Sequence, residues 1–275
     1  MSIEIREIEN DRQLNAFIGF PYRLYKDHPY YVPQLRSDTA ITLNRKKNPA
    51  FEYCEAKYWL AYAGDKIVGR IAGIINYTYI KKWNNRYMRF GWIDFENDAT
   101  ITGQLLKKVE AWAEEKGLDA IHGPLGFTNF DSAGMLVDGF DQLGTFATIY
   151  NYPYYPLFME KAGYNKDVDW VEYKIKVPQA EPEKIEKIKT IVQQRLGLNM
   201  IRPARTKELL FYSDKIFDLL NSTYVDLYGM VPLSEKQMKY YTKKILILFA
   251  SRFYFFNHRC EGRTHCLRNN YAFFI

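Results

Sequence analysis

The sequence predicts a mixed α/β (α+β) lobe with a mainly antiparallel sheet flanked by helices, followed by the start of a second lobe. Three observations carry that fold class. Residues 3–177 read in the order strand, helix, helix, three strands, helix, strand, helix, strand. The three central strands form a meander, because the first two meet at a tight-turn signal. One helix, Thr100–Lys116, carries a continuous apolar face that a sheet would cover.

Ile3–Ile8 alternates apolar and charged residues and opens as a strand. Asp11 is expected to cap a helix bearing Leu14, Phe17 and Ile18, which Pro21 and Pro29 should break into pieces. Pro33–Asn48 continues as a looser helical arm ending in Arg45-Lys46-Lys47, a solvated basic run. Ala56–Ala63 and Ile67–Ile75 are strands joined by Gly64-Asp65-Lys66, and Met88–Phe95 is the third. On Thr100–Lys116 the apolar face is Ile101, Leu105, Val109, Trp112 and Ala113, and Gly117 ends the helix. Ala120–Gly123 is a short strand, Pro153–Ala162 a short helix stopped by Gly163, and Trp170–Val177 the closing strand.

Residues 178–182 read as a linker by composition. Residues 183–244 then restart the pattern: a Lys/Glu-rich helix to Arg195, a strand at Leu198–Arg202, and a helix from Thr206 carrying Leu209, Leu210, Ile216, Phe217 and Leu220. Ser234 and Gln237 have capping-box spacing and open another helix.

The totals bound the chemistry. With 275 residues, 47% apolar and 25% charged, the chain has a globular composition. A net charge of +6 spread thinly gives no basic stripe, so no nucleic-acid partner is expected. Three cysteines make no disulfide framework and suggest a reducing compartment, the cytoplasm. The charged start is no signal peptide, and no apolar run approaches the length of a membrane span, so no membrane partner is expected.

The densest unusual chemistry lies in Ile121–Tyr164, where glycine, proline, Phe and Tyr crowd together with Asp131, Asp138 and Asp141. Glycine and proline disfavour regular structure, so the stretch reads as a loop folded onto the core or as a cleft wall. Its candidate cleft residues are His122, Phe127, Asn129, Asp131, Asn151 and Tyr154. Cys54 stands without a histidine or basic neighbour in sequence and reads as inert.

The strings GPLGF (Gly123–Phe127), GMLVDGFD (Gly134–Asp141) and IYNYPYYPLFMEKAGYNKDVDWVEY (Ile149–Tyr173) resemble the GNAT superfamily of acyl-CoA-dependent N-acyltransferases. The closer resemblance is to a bacterial family with two such lobes in tandem, and it runs to about Lys244. It implies an acyl-CoA donor, acetyl-CoA or another, and a small-molecule amine as acceptor. It also implies a pyrophosphate loop, Arg/Gln-x-x-Gly-x-Gly/Ala, where the fourth strand meets the next helix. Here that place reads Phe95-Glu-Asn-Asp98-Ala-Thr-Ile-Thr-Gly103, with one glycine, two acids and no base.

Many members carry a tyrosine four residues before the glycine of Tyr-Glu-Lys-x-Gly-Phe, where it protonates the departing thiolate. This chain has Met159 there, and Tyr150, Tyr152, Tyr154 and Tyr155 lie close by. The resemblance therefore makes residues 1–177 a structural or substrate-shaping lobe that does not bind acyl-CoA, with the chemistry in the second lobe. Were the first lobe active, Glu96 or Asp94 would be its base and Tyr150 or Tyr152 its acid. A non-catalytic lobe binding a small molecule or protein is the alternative.

Residues 245–275 lack lysine and hold two of the three cysteines and two of the four histidines. His258, Cys260, His265 and Cys266 offer soft metal ligands. A reading-frame shift near Lys243-Lys244 accounts for the same stretch, since permitted codons re-read from Ala250 give HHDFISLITDAKGELIAFAITMPSL, a strand–turn–strand pattern. That reading expects no metal and a second lobe cut short.

Overall fold

A computed structural model describes residues 2–145, 148–173, 183–197 and 206–244. Two compact units divide the chain, the first formed by residues 1–167 with 220–237, the second by 168–219 with 238–275. The expected linker at 178–182, the strand at Leu198–Arg202 and the tail at 245–275 lie outside the described residues.

The first unit contains a five-stranded sheet in chain order, β1 (Ile3–Glu7), β2 (Cys54–Ala63), β3 (Lys66–Asn76), β4 (Tyr87–Phe95) and β5 (Ala120–His122). Pairing is antiparallel except between β4 and β5. The hairpin is as expected: Ala63 faces Lys66, and Gly64 takes φ +61°, which a two-residue turn requires. The mixed α/β architecture follows the sequence.

Side chains alternate along β2 and β3 and fill both faces. Trp59, Ala61, Ile71 and Ile75 meet helix α4 (Ala99–Glu115), while Tyr58, Leu60, Ala72 and Ile74 meet Phe17 and Ile18 of helix α1 (Asp11–Leu24). Trp112 of α4 is buried and lies edge-on to Trp59 at 5.9 Å. Gly73 makes that contact possible, since a Cβ there would sit 3.1 Å from both indoles.

Local details depart from expectation. Asn10, not Asp11, caps α1, its side chain accepting from the Gln13 amide at 3.0 Å. Pro21 lies inside the helix without ending it: the Phe17 carbonyl that its missing N–H leaves without a helical donor accepts from Arg70 Nη1 at 2.9 Å. The arm holds α2 (Arg36–Thr42) and a 3₁₀ turn at Pro49–Glu52. A helix absent from the sequence reading, α3 (Tyr77–Trp83), connects β3 to β4, capped by Asn76. Residues 170–173 of the expected closing strand form no strand. After α5 (Tyr154–Lys161), the second unit holds α6 (Glu183–Leu196). The helix expected from Thr206 starts as a 3₁₀ turn to Tyr212 and becomes α7 (Ser213–Thr223). The capping box before the final helix, 235–244, is present: Ser234 N donates to Gln237 Oε1 at 3.0 Å, and Gln237 N to Ser234 Oγ at 3.4 Å.

A candidate acceptor cavity on the β4 bulge

Strand β4 is irregular where the unit is hollow. Arg70 pairs with Asp94 and Ala72 with Gly91, so Trp92 and Ile93 together face Ile71. Trp92 takes φ +44°, a sparsely populated conformation for a bulky residue. Gly91 and Gly123 let the next stretch of chain lie against this strand. A Cβ on Gly91 would fall 2.4 Å from the Leu125 carbonyl oxygen, and the Leu125 amide donates to Phe90 O at 2.7 Å.

Beside the bulge is a cavity of about 120 Å³, walled by β3 and β4 (Arg70, Trp92, Asp94), by α1 and the arm after it (Tyr22, Tyr25, Tyr31, Gln34, Thr39), and by the loop (Pro124, Ser132, Met135, Tyr150, Asn151, Tyr155). Asp94 is its centre. Its carboxylate accepts from Arg70 Nε at 2.7 Å and Nη2 at 2.6 Å. Tyr25 Oη lies 3.0 Å and Tyr155 Oη 3.3 Å from Oδ1, and the two hydroxyls are 2.7 Å apart. Two protons thus serve three oxygen–oxygen contacts, and Tyr155 Oη also accepts the Phe95 amide at 3.1 Å.

Burial first, and the Asp94 charge next, push the Tyr25 and Tyr155 hydroxyls well above their ordinary pKa. Both are therefore donors at neutral pH. Tyr31 is raised by the same two causes.

The sequence candidates separate once placed. Asp94, Tyr150 and Asn151 reach the cavity wall. Tyr150 Oη is 3.0 Å from His28 Nε2. Asn151 is buried and bridges the loop, accepting from Leu136 N at 2.6 Å and donating to Leu136 O at 3.0 Å. The others sit elsewhere. Glu96 is past the strand end, paired with Lys66 at 2.8 Å. Tyr152 packs on Tyr25 at 5.1 Å and donates to Leu24 O, while Tyr154 donates to Phe95 O at 2.8 Å. Phe127 is core, 4.9 Å from Phe51, because its apolar ring fills the gap under the 3₁₀ turn. Asn129 is exposed. Asp131 accepts from the Thr128 amide at 3.0 Å, a turn-forming role.

His122 is not on the cavity. Its Nδ1 lies 3.3 Å from Tyr228 Oη, and burial, with the Arg89 charge second, lowers its pKa to about 4. Cys54 is buried, which raises its thiol pKa. The sequence reading missed Arg70, Tyr25 and Tyr31. The tyrosine cluster at 22–31 was the one available signal.

The N-terminus of α4 is already capped. Asp98 is the N-cap, and its carboxylate accepts from the Thr100 amide at 2.8 Å while its carbonyl accepts from Ile101 N at 3.1 Å. These are N–H groups that an anion at a helix start would use, and Glu96 adds a second carboxylate to the same connection. Met159 is buried in the core and cannot donate a proton. Among the described residues, no helix is long and apolar enough to cross a membrane.

No family model matches the chain. It is 27% identical over 257 residues to protein YghO of Escherichia coli strain K12, covering 90% of this chain and 64% of that protein. It is 25% identical over 261 residues to a bacterial ceramide synthase of Caulobacter vibrioides, covering 93% and 66%. The chain thus spans just under two thirds of the length of these curated relatives. Similar solved structures include a tandem GNAT protein from the clavulanic acid biosynthesis pathway, with TM-score 0.40, 14% identity, and coverage of 59% of this chain and 43% of that one. An acetyltransferase from Clostridium acetobutylicum solved with acetyl-CoA has TM-score 0.38, 13% identity and coverage of 63% and 96%.

Proposed function

We propose that this GNAT-like chain is the acceptor-shaping part of an N-acyltransferase that moves an acyl group from acyl-CoA to a small-molecule amine. The observation that carries the reading is the contrast along β4. Its end leads into a helix start already occupied by Asp98, a poor seat for a diphosphate. Its middle bulges beside a cavity with Asp94, tyrosine hydroxyls and ring faces on its wall. Acceptor oxygens and aromatic faces both suit an amine or ammonium.

At about 120 Å³ the cavity has room for the amino end of an acceptor. The name of one relative, a ceramide synthase, favours amine acylation. In this reading Asp94 and Tyr150 would touch the acceptor, Asn151 would hold the loop, and the acyl donor would bind the second lobe of a frame-corrected chain. The second reading is a purely binding lobe, favoured by Met159 at the position where many GNAT proteins have the tyrosine.

Isothermal titration with acetyl-CoA tests the division of labour. The chain as given should show no binding, and a frame-corrected form should bind in the micromolar range. Micromolar binding by the present chain would overturn the proposal.

A further inference from the structure

The proton count around Asp94 leaves one place open. A carboxylate offers about four lone-pair sites. Arg70 Nε and Nη2 take those on Oδ2, at 2.7 Å and 2.6 Å. Oδ1 faces two hydroxyls, but the short 2.7 Å contact between Tyr25 and Tyr155 uses one of their two protons. A single proton therefore reaches Oδ1, and one of its lone pairs stays free on the cavity wall. Tyr31 and Tyr150 line the same wall. Burial raises both hydroxyls above their ordinary pKa, so they remain donors at neutral pH.

Charge decides what fits between them. Among the described residues the wall carries one cation and one anion, Arg70 and Asp94, and they already neutralise each other. Ring faces attract an ammonium. The Arg70 charge, however, already acts on Tyr22 and Tyr31, so an incoming ammonium would be a second cation in the same hollow. It would lose its water without gaining an unshared counter-ion. It also has only donors to offer, whereas the wall presents donors as well as one acceptor. A neutral amine has both, its N–H groups and its lone pair.

We propose that the cavity takes its acceptor as the neutral amine, an N–H on Asp94 Oδ1 and the lone pair toward a tyrosine hydroxyl, with Arg70 setting that preference. The inference rests on the acceptor reading above and deepens it. The ammonium's proton leaves to the solvent as the amine enters, so no residue of the wall has to remove it. Asp94 then anchors the amine rather than deprotonating it, in keeping with a carboxylate that already accepts from Arg70. The same preference extends to a hydroxyl group, which carries a donor and an acceptor without charge.

Titration of the full chain with benzylamine and with benzyl alcohol, followed by tryptophan fluorescence, tests it. Trp92 lines the cavity, and a signal lost in Trp92→Phe identifies binding there. Benzylamine should bind about 10-fold more tightly per pH unit between ~6.5 and ~8.5, where the free amine is mostly protonated and each bound molecule sheds one proton. Benzyl alcohol should bind equally across that range. Titration of Arg70, Asp94, the tyrosine hydroxyls or His28 behind Tyr150 would move both probes, and the alcohol measures it. In Arg70→Met the rise should vanish, because the unpaired Asp94 carboxylate then holds the ammonium. Circular dichroism checks the fold, and the two probes on the parent chain decide alone if that variant does not fold. Benzylamine affinity that is flat or falls with rising pH would overturn the neutral-amine inference and leave the acceptor reading standing. Neither probe binding, or a signal unchanged in Trp92→Phe, would overturn both. A rise undiminished in folded Arg70→Met would overturn the role of Arg70.

Discussion

Asp94→Asn removes one charge from a buried pair while keeping nearly the same shape. The Arg70 and Asp94 side chains are 8% and 11% exposed. Arg70 also donates through Nη1 to Phe17 O at 2.9 Å, so it cannot swing to water without releasing α1. After the substitution a cation stays buried beside a neutral amide. Breaking a buried pair costs about 3–5 kcal/mol. The amide oxygen still accepts one hydrogen bond, which places the expected loss near the low end, about 3 kcal/mol. Arg70→Met alone should cost a similar amount, and the double variant should fall short of the sum by about 2 kcal/mol. Urea denaturation followed by tryptophan fluorescence measures all three. A loss under ~1 kcal/mol for Asp94→Asn, the value of an exposed pair, or strict additivity, would refute the reasoning.

Trp112→Ala should destabilise the first unit by about 3–5 kcal/mol, read from the same denaturation curves, because it empties the contact between α4 and β2. Gly91→Ala should cost at least ~2 kcal/mol in thermal melting, since the new methyl would meet backbone rather than a side chain that can turn away. His122 is held neutral in the fold, with its pKa lowered from 6.5 to about 4. Unfolded chains take up the proton first, so its contribution is full above pH 6.5. It falls by up to ~3 kcal/mol as the pH drops toward 4. Comparing the pH dependence of stability in His122→Gln with the parent isolates this slope, and identical slopes would exclude His122 as its source.

The elements bounded by strong local signals were legible in the sequence. Gly64-Asp65 set the hairpin, the spacing of Ile101, Leu105, Val109 and Trp112 set α4, and Ser234 with Gln237 set the last cap. Helix α3 was not, because seven residues rich in tyrosine and lysine give too little period to register. The site was legible in part. Asp94 was singled out as a strand-end acid, but its partner Arg70 is two strands' worth of sequence away, across a bulge that no local pattern announces. Phe127 and Tyr154 were assigned to the cleft because aromatics beside glycines suggest a shaped surface. Which face each ring takes depends on contacts with Phe51 and Phe95, set by tertiary packing.

The start of α4 joins stability and ligand capture in one set of donors. A helix leaves its first amides without partners, and either a side chain or an anion can take them. Asp98 takes one with its own carboxylate, a cap worth about 1 kcal/mol. That cap stabilises the helix whose Trp112 face closes the core over β2 and β3. A pyrophosphate site at the same point would need those amides free and a sequence without fixed negative charge. The two uses compete for the same donors. In the proposed reading, a chain that commits the start of α4 to capping keeps its sheet well covered and leaves the bulge of β4, with its own polar wall, as the part of the strand that meets a ligand.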